Sequence, residues 1–78
     1  MKMTKICVPE LGEDIEQATV VEWHVKVGDV VCQDDDVVEL VTDKATFNVA
    51  APVSGVLTKI IVDAGSDVAI GAAVGEIN

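Results

Sequence analysis

The sequence predicts an all-β domain built from short strands. Its 78 residues are 50% hydrophobic but include one Trp, one Phe and no Tyr, so aliphatic side chains must form the core. Valine dominates them, and branched side chains favour extended backbone over helix. No segment shows the apolar spacing and capping residues of an amphipathic helix. A chain of this length forms one domain with a small core.

Clusters of Gly, Pro and Asp divide the chain into segments of strand length. These clusters occupy positions 9–12, 28–29, 34–36, 52–55, 65–67 and 71. Short strands separated by regularly spaced turns are typical of a β-sandwich or barrel. We therefore expect strands in the segments rich in Val, Ile and Thr, at 4–8, 18–25, 37–42, 45–50, 55–62 and 74–77.

An internal repeat relates two halves of the chain. Alignment of residues 18–40 with residues 55–77, an offset of 37 positions, matches six apolar, acidic or glycine positions. A duplication of this kind predicts two similar half-domains, neither of which can bury its apolar face alone. The six pairs are Val25 with Val62, Gly28 with Gly65, Val31 with Val68, Val37 with Val74, Glu39 with Glu76, and Leu40 with Ile77.

The two halves differ at the stretch LVTDKATFNV, residues 40–49, where only the first half continues. Two strand-like segments flank a short polar link, which predicts a β-hairpin with Asp43 and Lys44 at its turn. Aspartate suits such a turn because its side chain can accept hydrogen bonds from nearby backbone N–H groups. The hairpin places Lys44 at a protruding tip, with its amine in solvent.

The net charge of −9 argues against nucleic-acid binding, which requires Lys and Arg to neutralise phosphates. Acidic runs at 13–16 and 34–36 are typical of solvated loops. No apolar run approaches the roughly 20 residues that span a bilayer, and the start lacks the apolar segment of a secretory signal. We expect a monomeric domain that is not secreted and binds neither membrane nor nucleic acid.

The remaining chemically distinctive residues predict structure rather than catalysis. Cys7 and Cys32 form no recognisable disulfide framework, and we expect them to be reduced and half-buried. Trp23 is predicted to lie in the core, and His24 on the surface of an edge strand. No nucleophile–base set, metal-ligand cluster or phosphate loop is present in the sequence, so the domain by itself is not expected to be an enzyme.

The motifs together resemble a known family. They are VPELGEDIEQATVVEWHVKVGDVV at 8–31, ELVTDKATFNV at 39–49, PVSG at 52–55, and the closing Gly65, Val68 and Gly71. The chain resembles, over nearly all of its length, the lipoyl domain of the acyltransferase components of 2-oxo acid dehydrogenase complexes. The resemblance implies a flattened β-barrel or sandwich of two four-stranded antiparallel sheets with pseudo-twofold symmetry. It also implies that residues 1–78 are one domain of a larger multidomain acyltransferase.

The resemblance implies that Lys44 carries lipoic acid, because the family attaches it to the lysine of a T-D-K-A tip. A lipoate ligase or an octanoyl/lipoyl transferase would attach the group. The resulting swinging arm would accept an acyl group from a thiamine-diphosphate-dependent 2-oxo acid decarboxylase. It would deliver that group to the acyltransferase core and be reoxidised by dihydrolipoamide dehydrogenase. The expected location is the bacterial cytoplasm or the mitochondrial matrix.

Further residues are expected to serve modification or partner recognition. In the resembling family, the loop after the first strand lies near the lysine and helps the decarboxylase to recognise its carrier, which here implicates Gly12 and Glu13. Negative charge around the tip would steer a basic partner surface. The residues assigned to these roles beside Lys44 are Thr42, Asp43, Ala45, Glu39, Gly12 and Glu13.

Two alternatives remain open from the sequence. Biotin carriers are similar to this family but usually place methionines on both sides of the lysine, where this chain has Asp43 and Ala45. The tripeptide MKM at 1–3 resembles that motif but stands at the start of the chain, not in a hairpin. The other alternative is an unmodified β-domain that serves protein interaction. One departure from the family is Asp35, where relatives often have glycine.

Overall fold

The computed structural model describes residues 3–78, which form two four-stranded antiparallel sheets. No helix occurs in this range, and none is therefore long and apolar enough to cross a membrane. One sheet has the order β1-β8-β6-β3 and the other β5-β4-β2-β7. The strands are β1 (Thr4–Cys7), β2 (Gln17–Trp23), β3 (Val30–Val31), β4 (Asp36–Val41), β5 (Thr46–Ala50), β6 (Gly55–Ile60), β7 (Asp67–Ala69) and β8 (Ala73–Ile77).

The repeat in the sequence is a symmetry of the fold. The offset of 37 superposes β2, β3 and β4 on β6, β7 and β8, and the two sheets have matching strand orders. Each half lends its short strand to the other, because β3 pairs with β6 and β7 pairs with β2. Even the turn contacts are reciprocal: Gly28 N–H donates to Leu57 O and Gly65 N–H to Val20 O, both at 2.7 Å.

The pseudo-symmetry extends to β1 and β5 with an offset of 43. Gly71 N–H donates to Val8 O beside β1, and Asp34 N–H donates to Ala51 O beside β5, both at 2.9 Å. We call two residues symmetry mates when they are related by 37 positions, or by 43 between β1 and β5. The strand pairing and turn hydrogen bonds of symmetry mates correspond, so a difference between their side chains is not imposed by the backbone.

The core lies between the sheets and is built from both halves. Alternate side chains of a strand point to opposite faces, so a regular strand contributes every second residue. A register shift at the start of β4 accompanies the burial of both Val37 and Val38. Three of the six matched pairs of the repeat occupy equivalent buried places, with no residue more than 5% exposed, which explains why they are matched. They are Val31 and Val68, Val37 and Val74, and Leu40 and Ile77.

Two strands and several details differ from the sequence predictions. The missed strands β3 and β7 have two and three residues, too few to show an alternating pattern. Trp23 was predicted in the core, but it is half-buried at the edge of the core cluster, where its Nε1 donates to Val62 O at 2.8 Å. His24 is exposed as expected, but it follows β2, an interior strand of its sheet.

The cysteine prediction also needs correction. Cys7 and Cys32 are free thiols, but both are exposed rather than half-buried. The acidic turn has its unusual backbone at Asp34, with φ of 74°, next to the departure at Asp35. Its symmetry mate Gly71 has φ of 87°. Aspartate tolerates this left-handed conformation better than most residues, so the turn keeps its shape without glycine.

Candidate functional site

The hairpin between β4 and β5 closes with a tight turn at residues 42–45, with Asp43 and Lys44 at its centre. Thr42 N–H donates to Ala45 O at 2.8 Å. Two-residue hairpin loops usually need positive φ values and therefore Gly or Asn. Neither Asp43 nor Lys44 has a positive φ. Side-chain hydrogen bonds must therefore contribute to holding this turn.

The hydroxyl of Thr42 provides those bonds. It donates to Ala45 O at 3.1 Å and accepts from the backbone N–H groups of Lys44 and Ala45, each at 3.2 Å. A hydroxyl has one hydrogen to donate and two lone pairs, so this one is fully used. The sequence assigned this role to the Asp43 side chain, and that assignment was wrong. The backbone that presents Lys44 is fixed without using the side chain of either central residue.

A second turn faces the tip from the loop between β1 and β2. Ile15 N–H donates to Gly12 O at 3.2 Å, which places Glu13 and Asp14 at the centre of this turn. Lys44 Nζ lies 3.3 Å from Asp14 Oδ2, although the two side chains are 61% and 81% exposed. Ion pairs this exposed contribute little to stability. The contact with Asp14 therefore leaves the amine of Lys44 exposed to solvent.

The two turns border an open groove beside Lys44. Its volume is about 510 Å³, and its walls are residues 14–19 on one side and residues 41–44 on the other. Ile15, Ala18 and Val41 are the apolar residues of its lining, and three acidic residues line it as well. Lys44 therefore belongs to the wall of an open groove of mixed character.

The structure gathers most, but not all, of the predicted site residues. Thr42, Asp43 and Ala45 surround Lys44 in the turn. Gly12 and Glu13 belong to the facing turn, but it is Asp14 that contacts the lysine, and neither Gly12 nor Glu13 lines the groove. The sequence could not single out Asp14, because it stands in a run of acidic residues with the same character.

Glu39 lies away from the tip. It stands on β4, opposite Glu22 of β2 and Asn48 of β5, and does not line the groove. The expectation that Glu39 belongs to the surroundings of Lys44 is therefore not supported by its position. Within residues 3–78, no three His, Cys, Asp or Glu side chains converge to hold a metal ion.

The turn geometry gives a testable expectation for Thr42. Removal of its hydroxyl in Thr42→Val leaves the N–H groups of Lys44 and Ala45 without their acceptor, so we expect a loss of about 1 kcal/mol in the free energy of unfolding. Amide hydrogen exchange at both residues should accelerate, and urea denaturation gives the stability. Thr42→Ser keeps the hydroxyl and should behave like the parent chain. Equal exchange rates in the Val and Ser variants would contradict the role of the hydroxyl.

Comparison with known proteins identifies the architecture. The family model for biotinyl and lipoyl domains, described as "Biotin-requiring enzyme", matches residues 4–77. The chain belongs to this biotinyl/lipoyl domain family. The solution structure of the lipoyl domain of the 2-oxoglutarate dehydrogenase complex from Azotobacter vinelandii is similar to this domain, with a TM-score of 0.75 and 34% identity. The match covers 95% of this chain and 94% of that one.

Curated relatives narrow the comparison to lipoyl domains. This biotinyl/lipoyl domain is 45% identical over 95% of its length to the dihydrolipoyllysine-residue succinyltransferase component of the 2-oxoglutarate dehydrogenase complex from Rickettsia typhi. It is 42% identical over 85% of its length to the lipoamide acyltransferase component of the branched-chain alpha-keto acid dehydrogenase complex from Pseudomonas putida. The chain spans 19% and 16% of those two proteins. The predictions of a lipoyl domain and of its two-sheet fold are thus confirmed, and a lipoyl domain is a carrier.

Proposed function

We propose that this domain is a swinging-arm carrier with lipoic acid attached to Lys44. The observation that carries the proposal is the tip itself, a turn locked by the Thr42 hydroxyl that presents an exposed amine. The tip stands in the hairpin that joins β4 to β5.

The residues at the tip fit an attached lipoyl group. Formation of an amide at Nζ removes the positive charge of Lys44, and this breaks one exposed ion pair with Asp14, which costs little. The turn itself is unaffected, because its hydrogen bonds involve Thr42 and backbone groups only. When bound, lipoic acid supplies a dithiolane that is reductively acylated and later reoxidised. The chain holds the attachment point rigid and in solvent.

The names of the relatives suggest the partners. We infer that the whole protein is a dihydrolipoyllysine-residue acyltransferase, and that its domain meets a thiamine-diphosphate-dependent 2-oxo acid decarboxylase, the acyltransferase core and dihydrolipoamide dehydrogenase. Several relatives from 2-oxoglutarate dehydrogenase complexes match 95% or more of the chain at 43–46% identity. The decarboxylase of a 2-oxoglutarate complex is therefore the first partner to test. A tethered arm raises the local concentration of its reactive end at each active site.

The test begins with the identity of the attached group. The purified domain is incubated separately with a lipoate ligase plus lipoate and ATP, and with a biotin ligase plus biotin and ATP. Intact mass should show one lipoyl group per chain in the first reaction and no change in the second. Peptide mapping should locate the group on Lys44. Gain of biotin, or an unmodified Lys44 under conditions that lipoylate a known lipoyl domain, would reject the proposal.

The lipoylated domain is then offered to decarboxylases of 2-oxoglutarate, pyruvate and branched-chain 2-oxo acid complexes, each with its own substrate. We expect reductive acylation, measured by mass, to be fastest with the 2-oxoglutarate enzyme. Preference for another of the three would keep the carrier function and change only its complex. A domain that is lipoylated but acylated by none of them would contradict the carrier function.

A further inference from the structure

The pseudo-symmetry provides an internal comparison between the outer faces of the two sheets. Each face has a central row of three residues that stand opposite one another on adjacent strands. The rows are symmetry mates, and each lies beside a register shift in the same place, between Val20 and Glu22 and between Leu57 and Lys59. The fold therefore makes the same demands on both rows.

The row on the β1-β8-β6-β3 sheet is balanced in charge. Glu76 of β8 stands opposite Lys5 of β1 on one side and opposite Lys59 of β6 on the other. Opposite charges that face each other across strands stabilise a sheet by about 0.2–1 kcal/mol.

The mate row on the β5-β4-β2-β7 sheet is not balanced. Glu39 of β4 stands opposite Glu22 of β2 and Asn48 of β5. Like charges that stand directly opposite are destabilising. Among residues 3–78, no ion pair includes Glu39 or its symmetry mate Glu76, and the one ion pair of Glu22 is with His24, whose Nδ1 lies 3.9 Å away. The other ring nitrogen of His24 lies 3.1 Å from Asn48 Oδ1.

The same face also exposes aliphatic surface next to the lysine tip. Val21 and Val41 are 42% and 36% exposed, and Val41 lines the groove beside Lys44. Their symmetry mates are the polar residues Thr58 and Asn78. The other face has its own pair of exposed valines, Val30 and Val56, so only the valines beside the groove lie near Lys44. Val41 and Glu39 are two residues apart on β4, so they point to the same outer face. The face thus combines apolar contact area with unbalanced negative charge, and its residue Val41 also lines the groove.

We propose that this face, defined by Val21, Glu22, Glu39 and Val41, docks a basic surface of the decarboxylase that acts on the Lys44 arm. The inference rests on the proposed carrier function. Lysine or arginine side chains of the partner would compensate Glu22 and Glu39, and aliphatic contact with the valines would hold the tip at the partner's active site. Complementary charge across an interface chiefly accelerates association and selects the partner. The carboxylate pair then destabilises the folded domain but favours its association with the partner.

The test compares symmetry mates. Glu39→Gln and Glu76→Gln remove the same charge from half-buried residues of equivalent place on the two faces, so their effects on overall charge are matched. Their effects on folding should differ in sign, because Glu39 stands opposite a carboxylate and Glu76 opposite two lysines. Glu22→Gln/Glu39→Gln removes the pair. Each variant is lipoylated, its stability is measured by urea denaturation, and kcat/KM for reductive acylation is measured with the decarboxylase that acylates the parent domain best. Measurements at 0.01 M and 0.15 M salt use Debye lengths of about 30 Å and 8 Å.

We expect the double variant to lower kcat/KM about tenfold at low salt and Glu39→Gln about threefold, with smaller losses at high salt, because electrostatic attraction accelerates encounter. Glu76→Gln should change kcat/KM less than about twofold, because a charge on a face that does not dock has only a small effect on association. The rate of lipoylation should be unchanged in all variants. Equal losses for Glu39→Gln and Glu76→Gln, or a loss in lipoylation rate in place of acylation, would overturn the proposal. Failure of the parent domain to be lipoylated or acylated would instead reject the carrier function.

Discussion

Lys44→Arg is expected to abolish lipoyl attachment while the domain stays folded. The guanidinium of arginine remains protonated in proteins, so it cannot serve as the nucleophilic amine that an amide bond requires. Arginine keeps the positive charge and can still reach Asp14, which lies 3.3 Å from the lysine amine. The substitution therefore removes the acylation chemistry and preserves the electrostatics of the tip. No other lysine should acquire the group, because only Lys44 is held in the Thr42 turn.

The expectation is checked by intact mass after incubation with lipoate ligase and by reductive acylation with the decarboxylase. The mass should show no added lipoyl group, and reductive acylation should fall to the level of a reaction without the domain, because no arm is attached. Lys59→Arg, on the surface of β6, is the matched control, and its Lys44 should be lipoylated as in the parent domain. The free energy of unfolding of Lys44→Arg should stay within about 0.5 kcal/mol of the parent value. Lipoylation of the arginine variant would show that another lysine is the attachment point.

The hairpin tip was predictable because its signal is local. A polar link between two strand-like segments identifies Lys44 without any contact information. The chemistry that holds the tip was less accessible. Thr42 and Asp43 both have side chains that cap turns, and only the backbone geometry shows that the threonine hydroxyl accepts the N–H groups of Lys44 and Ala45.

The contacts that cross between elements far apart in sequence could not be predicted. Asp14 meets Lys44 across 30 positions of chain, and nothing in its acidic surroundings distinguishes it beforehand. Strands β3 and β7 form because each completes the sheet of the opposite half, so their pairing exists only in the assembled fold. The offset of 37 predicted that two halves exist, but not that they exchange strands.

The repeat is also informative where its halves disagree in the core. Trp23 on β2 stands opposite Val38, and its symmetry mate Ile60 on β6 stands opposite Gly75, the mate of Val38. The Trp23 ring reaches across to Gly75, where an added Cβ would lie 2.8 Å from Cη2 of the indole and 3.0 Å from Lys59 O. The first half thus has the larger residue at one position, Trp23 against Ile60. The second half has no side chain at the other position, Gly75 against Val38. The two departures from symmetry compensate each other within one core.

Gly75→Val, which restores the residue of the symmetry mate, is therefore expected to destabilise the domain by about 3 kcal/mol, because overpacking forces both the ring and the backbone to shift. Trp23→Ile alone should cost about 2 kcal/mol, since it leaves a cavity and removes the hydrogen bond to Val62 O. The double variant Trp23→Ile/Gly75→Val should cost less than the sum of the two by at least about 1 kcal/mol. The double variant has Ile and Val at these two positions, as the symmetry mates Ile60 and Val38 do, so the two side chains should pack together without the indole.

Urea denaturation followed by circular dichroism measures all three variants, because the far-ultraviolet signal does not depend on the tryptophan that is removed. Phe47→Ile, on an edge strand, supplies the control: combined with Gly75→Val, it should give an additive loss. A non-additive gain confined to the Trp23 and Gly75 pair would show that the indole occupies the space that glycine vacates. Additive costs in both combinations would mean that the core adapts to the introduced valine without using that space, and the compensation argued from symmetry would then be wrong.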